Sequence, residues 1–282
     1  MHTPVLLKEV IESLNIKPGG RYIDATLGEG GHAFEIAKKG GIVLGIDQDE
    51  NQLSNLISNV KGQMSNVRLV RGNFADIEEI ARSNGFFPVE GVLFDLGLSM
   101  RQLEKSGKGF SYKNQEEPLD MRIGDVDRTA EDLINSLGAD ELYEIFAGNA
   151  EEINSRAISE AIARRRRIRP IRAVGDLTAI IKKTIGRRDE KAFRRIFQAL
   201  RIEVNHEFEN LRKGMRGAYN ILKNKGRMVI ITFHSLEDRI VKNTVRENRW
   251  ETRRIRTADF SRANRFERSA VLRVIIKNEI IN

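Results

Sequence analysis

Two hydrophobic periods alternate along the first third of the chain. Short runs rich in Val, Ile and Leu, which end in Gly or Asp, predict β-strands at residues 21–26, 41–47, 67–74 and 89–97. Between them, residues 32–40, 50–62 and 75–85 have helical periodicity and close on a glycine. Alternating strands and helices with short connections predict a parallel sheet with helices on both faces.

The pattern changes after Asp95, because residues 129–222 contain almost only helical signals. Thr129 followed by Asp132 is typical of a helix N-cap. Further on, an apolar stripe predicts a helix that ends in arginines; it consists of Ile153, Ala157, Ile158, Ala161 and Ile162.

Strand patterns return at residues 226–235 and 268–278. The predicted fold class is therefore α/β, with one discontinuous domain that carries an all-helical insertion. We place the α/β domain at residues 1–104 and 208–282, and the insertion at residues 105–207.

Positive charge is concentrated in the predicted insertion. The formal net charge of the chain is +8, but residues 164–201 alone hold 14 Lys or Arg against three acids. Such a concentration is typical of a surface that binds polyanions, and it favours nucleic acid over a solvated helical face, an acidic protein or lipid headgroups. Six arginines between residues 164 and 172 are the predicted phosphate contacts: Arg164, Arg165, Arg166, Arg167, Arg169 and Arg172. A weaker second patch is formed by Arg253, Arg254 and Arg256.

Composition excludes several other classes of protein. The chain has no cysteine, which rules out disulfides and zinc–thiolate sites and favours a cytoplasmic location. No apolar run approaches the roughly 18 residues that a membrane span needs, and the first residues do not resemble a signal peptide. The four histidines lack metal-ligand spacing, so we predict no metal.

The segment "YIDATLGEGGH" places a glycine turn between the first predicted strand and helix. Gly28, Gly30 and Gly31 would allow positive φ angles and close approach of a ligand to the backbone. Asp47 ends the second strand, where its carboxylate would accept hydrogen bonds from ribose hydroxyls. These residues alone do not distinguish a dinucleotide from another adenosine-containing cofactor.

Asp24, at the end of the first strand, favours a cofactor without phosphate. Its carboxylate would repel a pyrophosphate and attract a cationic amino group. S-adenosylmethionine carries an ammonium and a sulfonium, and no phosphate. Phe74 after the third strand is a candidate for stacking on adenine, with core packing as the alternative, and Asp95 ends the fourth strand where ligands of this fold bind.

Several longer motifs resemble one family, the bacterial small-subunit (16S) ribosomal RNA cytidine N4-methyltransferases. The matching segments run in family order over essentially the whole chain and include "HTPVLLKEV", "DLGLSMRQL", "PLDMR", "RIFQALRIEVNHEFENL" and "HSLEDRIVK". The resemblance implies a class I, Rossmann-like S-adenosylmethionine methyltransferase core with an inserted helical domain. It departs from the family pattern at Leu98, Met100, Ala150 and residues 264–269, mainly on the substrate side.

The resemblance also implies site residues and a substrate. Cofactor contacts carried over are Gly30, Gly31, His32, Asp47, Phe74, Asp95 and Gln102. The implied reaction methylates the exocyclic N4 amine of a cytidine in the decoding region of 16S ribosomal RNA, free or within the small ribosomal subunit, with the target base out of its stack. Asp95 and His234 are the catalytic candidates, and for His234 a structural hydrogen bond is the alternative.

Two other hypotheses stay open on the sequence alone. Gly28-x-Gly30-x-x-Ala33 with Asp47 also fits a dinucleotide-dependent oxidoreductase. The substrate-side departures also fit a non-catalytic RNA-binding protein with a relic pocket. The oligomeric state is open as well, a homodimer included.

Overall fold

The computed structural model describes residues 4–60, 65–185, 190–255 and 269–278. The chain divides into two compact units. The first consists of Met1–Gly97 and Phe208–Asn282, and the second is Leu98–Glu207. The second unit thus begins at Leu98, before the predicted boundary at residue 105.

The described residues form twelve helices, one 3₁₀ turn and seven strands. The helices are α1 (Leu7–Leu14), α2 (Gly31–Lys38), α3 (Glu50–Val60), α4 (Ile77–Ser83), α5 (Met100–Lys105), α6 (Ala130–Ser136), α7 (Ala139–Ala150), α8 (Ser155–Arg166), α9 (Val174–Ile185), α10 (Glu190–Val204), α11 (Glu207–Ile221) and α12 (Ser235–Glu247). The strands are β1 (Arg21–Asp24), β2 (Ile42–Asp47), β3 (Val67–Arg71), β4 (Val89–Asp95), β5 (Leu222–Thr232), β6 (Glu251–Ile255) and β7 (Val271–Ile276), and the 3₁₀ turn is Phe74–Asp76.

The seven described strands form one sheet in the order β3-β2-β1-β4-β5-β7-β6. Strands β1 to β5 are parallel, whereas β7 is antiparallel to β5 and β6 is antiparallel to β7. The sheet confirms the predicted α/β fold class. It also adds an edge strand, β6, to a segment whose arginines had been predicted only as a surface patch or loop.

Both faces of the sheet are buried along β1, β2 and β4, and the side chains of these strands alternate between the faces as a pleated strand requires. Tyr22 packs on one face with the apolar sides of α1, α2 and α3. Its neighbour Ile23 packs on the opposite face with α4, α11 and α12. The helix layers thereby fix the strand ends, which is where the candidate site lies.

The second unit has an all-helical core of its own, built from α6 to α10. The predicted N-cap at Thr129 is confirmed, since its side chain accepts from Asp132 N at 3.0 Å and Asp132 caps Thr129 N in return. Ile158 and Ile162 are buried as predicted. The prediction was wrong for Ile153, which precedes α8 and is 88% exposed, and for Ala157, which lies in α8 on its exposed side.

The "PLDMR" motif serves as a structural clamp in this unit. Met121 is fully buried with a φ of +60°, a backbone conformation that costs energy in a non-glycine residue. Asn205 compensates by donating to Met121 O at 2.8 Å and accepting from Ile123 N at 2.9 Å. Arg122 and Asp120 pair on the other side of the turn, at 2.8 Å. None of the described helices is both long enough and apolar enough to cross a membrane.

Candidate functional site

An acidic edge forms where the parallel strands of the first unit end. Asp24 is the last residue of β1, Asp47 of β2 and Asp95 of β4. Asp24 lies beside Leu93 in the register of β1 and β4. Strand order reverses between these two strands, and such switch points leave a crevice in which ligands of open α/β sheets bind.

The glycine turn after β1 is fastened to β2. Gly28 has a φ of +51° and Gly30 a φ of +78°, and both conformations favour glycine. Gly30 N donates to Leu27 O at 2.8 Å and closes the turn, and α2 then begins at Gly31. Gly28 N donates to Asp47 Oδ2 at 2.8 Å, so the carboxylate predicted to bind ribose also holds the turn in place.

Asp24 is buried, with only 1% of the residue exposed, and Thr26 N donates to its Oδ1 at 3.2 Å. Burial raises the pKa of Asp24 to about 6; the carboxylates of Asp95 and Asp47 act in the same direction, and His32 opposes them. Burial likewise raises the pKa of Asp47 to about 6. Among the described residues, neither aspartate pairs with a lysine or arginine. The edge therefore favours a cationic ligand.

His32 and Asp95 meet at this edge although they are far apart in the sequence. The imidazole lies in the first turn of α2 and is 5% exposed, with Nε2 3.4 Å from Asp95 Oδ2. In the described part of the chain, neither imidazole nitrogen nor Asp95 Oδ1 has a hydrogen-bond partner. Buried polar atoms without partners are costly, and a bound ligand is one way of satisfying them.

Thr26 was missed as a positioning residue by the sequence reasoning. Its Oγ1 accepts from Asp95 N at 2.6 Å and so joins the end of β1 to the end of β4. No pattern in the sequence indicates this bond, because it links two strands that become neighbours only in the folded sheet.

Phe74 lies in the 3₁₀ turn after β3 and is half-buried. Its ring meets Phe94 edge-on, with the ring centroids 5.7 Å apart, and it belongs to the core on that face of the sheet. A Cβ atom added to Gly214 of α11 would lie 2.8 Å from the ring. These contacts support core packing, and stacking on adenine stays a prediction.

His234 caps α12. Its Nδ1 accepts from Glu237 N at 3.4 Å, while the Glu237 carboxylate accepts from Phe233 N at 2.8 Å. His234 Nε2 lies 2.8 Å from Glu237 Oε1, although this nitrogen has no hydrogen-bond partner among the described residues, and Glu237 is itself buried. The structure forms a capping box with histidine at the position where serine or threonine is usual, so the sequence carried only the Glu237 half of this signal. The geometry supports the structural alternative for His234.

The remaining predicted site residues belong to the second unit. Gln102 is buried and forms a capping box with Ser99 at the start of α5.

The six predicted RNA contacts lie at the end of α8 and just after it. Three of them pair with surface acids, as Arg164–Glu160, Arg169–Asp176 and Arg172–Glu131. Water and salt screen such exposed pairs, so they leave the arginines able to bind phosphates. Arg256 and residues 264–268 lie outside the described residues.

The sheet order, the antiparallel β7 and the acidic edge beside a glycine turn define a Rossmann-like methyltransferase of class I. Residues 1–278 match the MraW methylase family, and the chain belongs to that family. This result confirms the family predicted from the sequence motifs.

Proteins with similar sequences include the ribosomal RNA small subunit methyltransferase H of Carboxydothermus hydrogenoformans, which is 43% identical over 87% of this chain and 80% of its own length. The methyltransferase of the same name from Clostridioides difficile is 43% identical over 86% of this chain and 80% of its own. Among solved structures, an rRNA methylase from Streptococcus thermophilus has a TM-score of 0.49 at 8% identity and covers 99% of both chains.

Proposed function

We propose that this protein transfers a methyl group from S-adenosylmethionine to the N4 amine of a cytidine in the decoding region of small-subunit ribosomal RNA, in the cytoplasm. Membership of the MraW methylase family and the names of the related methyltransferases support the reaction and the RNA. The observation that carries the proposal is the edge of buried aspartates, which suits a cationic methyl donor.

Three observations test whether the residues present fit this cofactor. Asp24 is a buried carboxylate with a raised pKa, and an ammonium group beside it would supply the missing positive charge. His32 and Asp95 hold buried polar atoms without hydrogen-bond partners in the described chain, as expected of groups that bind a polar ligand. Of the three glycines of the turn, Gly28 alone leaves room for close approach of a ligand, because Phe34 fills the space beside Gly30 and Pro4 fills the space beside Gly31. The residues fit.

A dinucleotide fits the same edge poorly. Its pyrophosphate would lie at the glycine turn, close to the Asp24 carboxylate, and like charges in a buried site repel strongly. Family membership points the same way. The oxidoreductase hypothesis therefore loses its physical support.

When bound, S-adenosylmethionine supplies an electrophilic methyl group on its sulfonium. Asp24 would pair with the ammonium of the cofactor, and Asp47 would accept from its ribose hydroxyls through the lone pairs that the turn leaves free. Asp95 has one oxygen facing His32 and the other, Oδ1, without a hydrogen-bond partner among the described residues. We propose that Asp95 Oδ1 accepts a hydrogen bond from the N4 amine of the cytosine. An acceptor at this position stabilises the positive charge that develops on the nitrogen.

The proposed reaction predicts that the purified protein labels small-subunit ribosomal RNA with methyl groups from tritiated S-adenosylmethionine. Digestion and mass spectrometry of the product should locate the label on N4 of one cytidine. Naked RNA and assembled small subunits are tested in parallel, because the sequence does not specify the form of the substrate.

Absence of label in either form, with cofactor binding shown by calorimetry, would favour the non-catalytic RNA-binding alternative. Label on a base other than cytidine would contradict the substrate assignment alone.

Substituting His234 separates its capping role from a catalytic one. Asparagine can cap a helix as well as the imidazole does, so we expect His234→Asn to keep the free energy of unfolding within about 0.5 kcal/mol, and His234→Ala to lower it by about 1 kcal/mol. Urea unfolding of both variants measures this difference. If His234→Asn keeps its stability but methylates RNA more than tenfold slower, His234 takes part in the reaction.

A further inference from the structure

Ile168 is the second most exposed large apolar residue in the described chain. It is 84% exposed, and only Ile153, at 88%, exceeds it; the next, Ile57, is 52% exposed. Burying an isoleucine side chain stabilises a protein by about 1.5–3 kcal/mol, and Ile168 forgoes that gain in the folded protein. A single exposed side chain is ordinary in itself, so the setting decides whether it has a function.

The turn that carries Ile168, residues 167–170, is fixed at both ends to α6. On one side Arg166 Nη1 donates to Ile134 O at 2.6 Å. On the other, the side chain of Asn135 accepts from Ile171 N at 3.0 Å and donates to Ile171 O at 2.8 Å. These bonds attach residues 166 and 171 to two adjacent residues of α6. The turn between them is therefore held at both ends.

Further bonds fix the tip itself. Ile168 N and Arg169 N both donate to Arg165 O, at 3.1 and 3.3 Å. The Asp176 carboxylate accepts from Arg169 Nη2 at 2.6 Å and from Arg172 N at 3.1 Å. The backbone that carries Ile168 is therefore already ordered, so binding of a partner costs little backbone entropy.

Charge distinguishes the two exposed isoleucines. Ile168 stands between Arg167 and Arg169, which are both exposed. Ile153 instead follows Glu151, which is exposed, and Glu152, which is buried and pairs with Arg195. Phosphates are therefore attracted to the surroundings of Ile168, whereas no arginine or lysine adjoins Ile153 in the sequence. Only Ile168 therefore combines an apolar tip with flanking phosphate-binding groups, and that combination suits a nucleic acid.

We propose that residues 167–170, the arginine turn, act as a wedge on the RNA. Ile168 inserts between two adjacent bases, while Arg167 and Arg169 hold the phosphates on either side. Wedges of this kind unstack bases, and the reaction requires a base that is out of its stack. The inference rests on the proposed function insofar as the partner is RNA.

The test compares Ile168→Ala with Ile153→Ala, a matched control that removes an equally exposed isoleucine of the same unit. Binding to protein-free small-subunit ribosomal RNA is measured over a range of salt concentrations. We expect Ile168→Ala to weaken binding about tenfold with an unchanged salt dependence, because it removes a contact to bases. Arg167→Ala should instead reduce the salt dependence by about one phosphate contact. Ile153→Ala should match the parent protein, and Ile168→Leu should restore binding.

Chemical probing of the same RNA supplies an independent readout. The parent protein and Ile153→Ala should raise the reactivity of a base at the contact, and Ile168→Ala should not. Equal affinity and equal reactivity for the two alanine variants would overturn the wedge. A defect of Ile168→Ala that occurs only on assembled subunits would assign the turn to a protein partner and would also overturn it. If the parent protein neither binds nor methylates RNA, the proposed function has failed instead.

Discussion

Replacement of Asp24 by asparagine is expected to make the cofactor-free protein more stable and the binding of S-adenosylmethionine weaker. The amide has the same shape as the carboxylate, and its oxygen can still accept from Thr26 N. What the substitution removes is a buried negative charge. At pH 8 we expect stabilisation on the order of 2–3 kcal/mol, or roughly 5 °C in melting temperature.

The sign follows from the raised pKa of Asp24. Burial raises that pKa from 3.8 to about 6, so the folded protein binds a proton here more tightly than the unfolded chain does. The associated stability is fully present below pH 3.8 and is lost as the pH rises through about 6. The advantage of Asp24→Asn should accordingly be largest above pH 6 and vanish near pH 4.

Cofactor affinity should change in the opposite sense. Asp24→Asn leaves the cofactor ammonium without its counter-charge, which we expect to weaken binding about a hundredfold. In the parent protein, affinity should fall as the pH drops below about 6, because the cofactor must then displace a proton from Asp24.

Thermal melts and calorimetry between pH 4 and pH 8 measure both effects. S-adenosylhomocysteine should lose affinity to the same extent, because it keeps the ammonium and lacks only the charged sulfonium. Asp76→Asn is the control, since it removes an exposed carboxylate of the same unit that pairs with Lys213. An Asp24→Asn protein that binds the cofactor as tightly as its parent would show that this carboxylate faces no cation.

Asp95→Asn is expected to slow methyl transfer by 10²- to 10⁴-fold while changing cofactor affinity no more than about tenfold. The substitution keeps the shape of the side chain and the backbone bond from residue 95 to Thr26 Oγ1. It removes the negative charge, and the remaining amide oxygen is a weaker acceptor for the hydrogen of the N4 amine and a weaker stabiliser of the positive charge on that nitrogen. The rate of methyl transfer should therefore fall more than the affinity for the cofactor.

Single-turnover rates at saturating cofactor and RNA isolate that step from binding. His32→Asn provides the companion measurement, because it removes the group 3.4 Å from Asp95 Oδ2 and should lower the rate less than Asp95→Asn does. If saturating cofactor restores the full rate of methyl transfer in Asp95→Asn, Asp95 contacts the cofactor and takes no part in the chemical step.

The sequence by itself determined the layered α/β fold and the acidic strand ends. Strand and helix periods are local properties, so they were readable without the structure, and so was the Thr129 cap. The positions of Asp24, Asp47 and Asp95 followed because parallel strands place their carboxyl ends at one edge. The longer motifs resembled those of the 16S ribosomal RNA cytidine N4-methyltransferases, and the match of residues 1–278 to the MraW methylase family confirms that resemblance.

Only the tertiary structure decided which side chains meet at that edge and which turn outward. His32 reaches Asp95, and Thr26 bonds to the backbone of the same residue, because β1 and β4 pair across a long stretch of intervening chain. Phe74 packs on Phe94 because folding brings both side chains into the core on the same face of the sheet. Ile153 continued an apolar stripe in the sequence, yet α8 begins only after it. Hydrophobic periodicity indicates which face of a helix is buried. It does not show at which residue the helix begins, and a residue before that point belongs to no helical face.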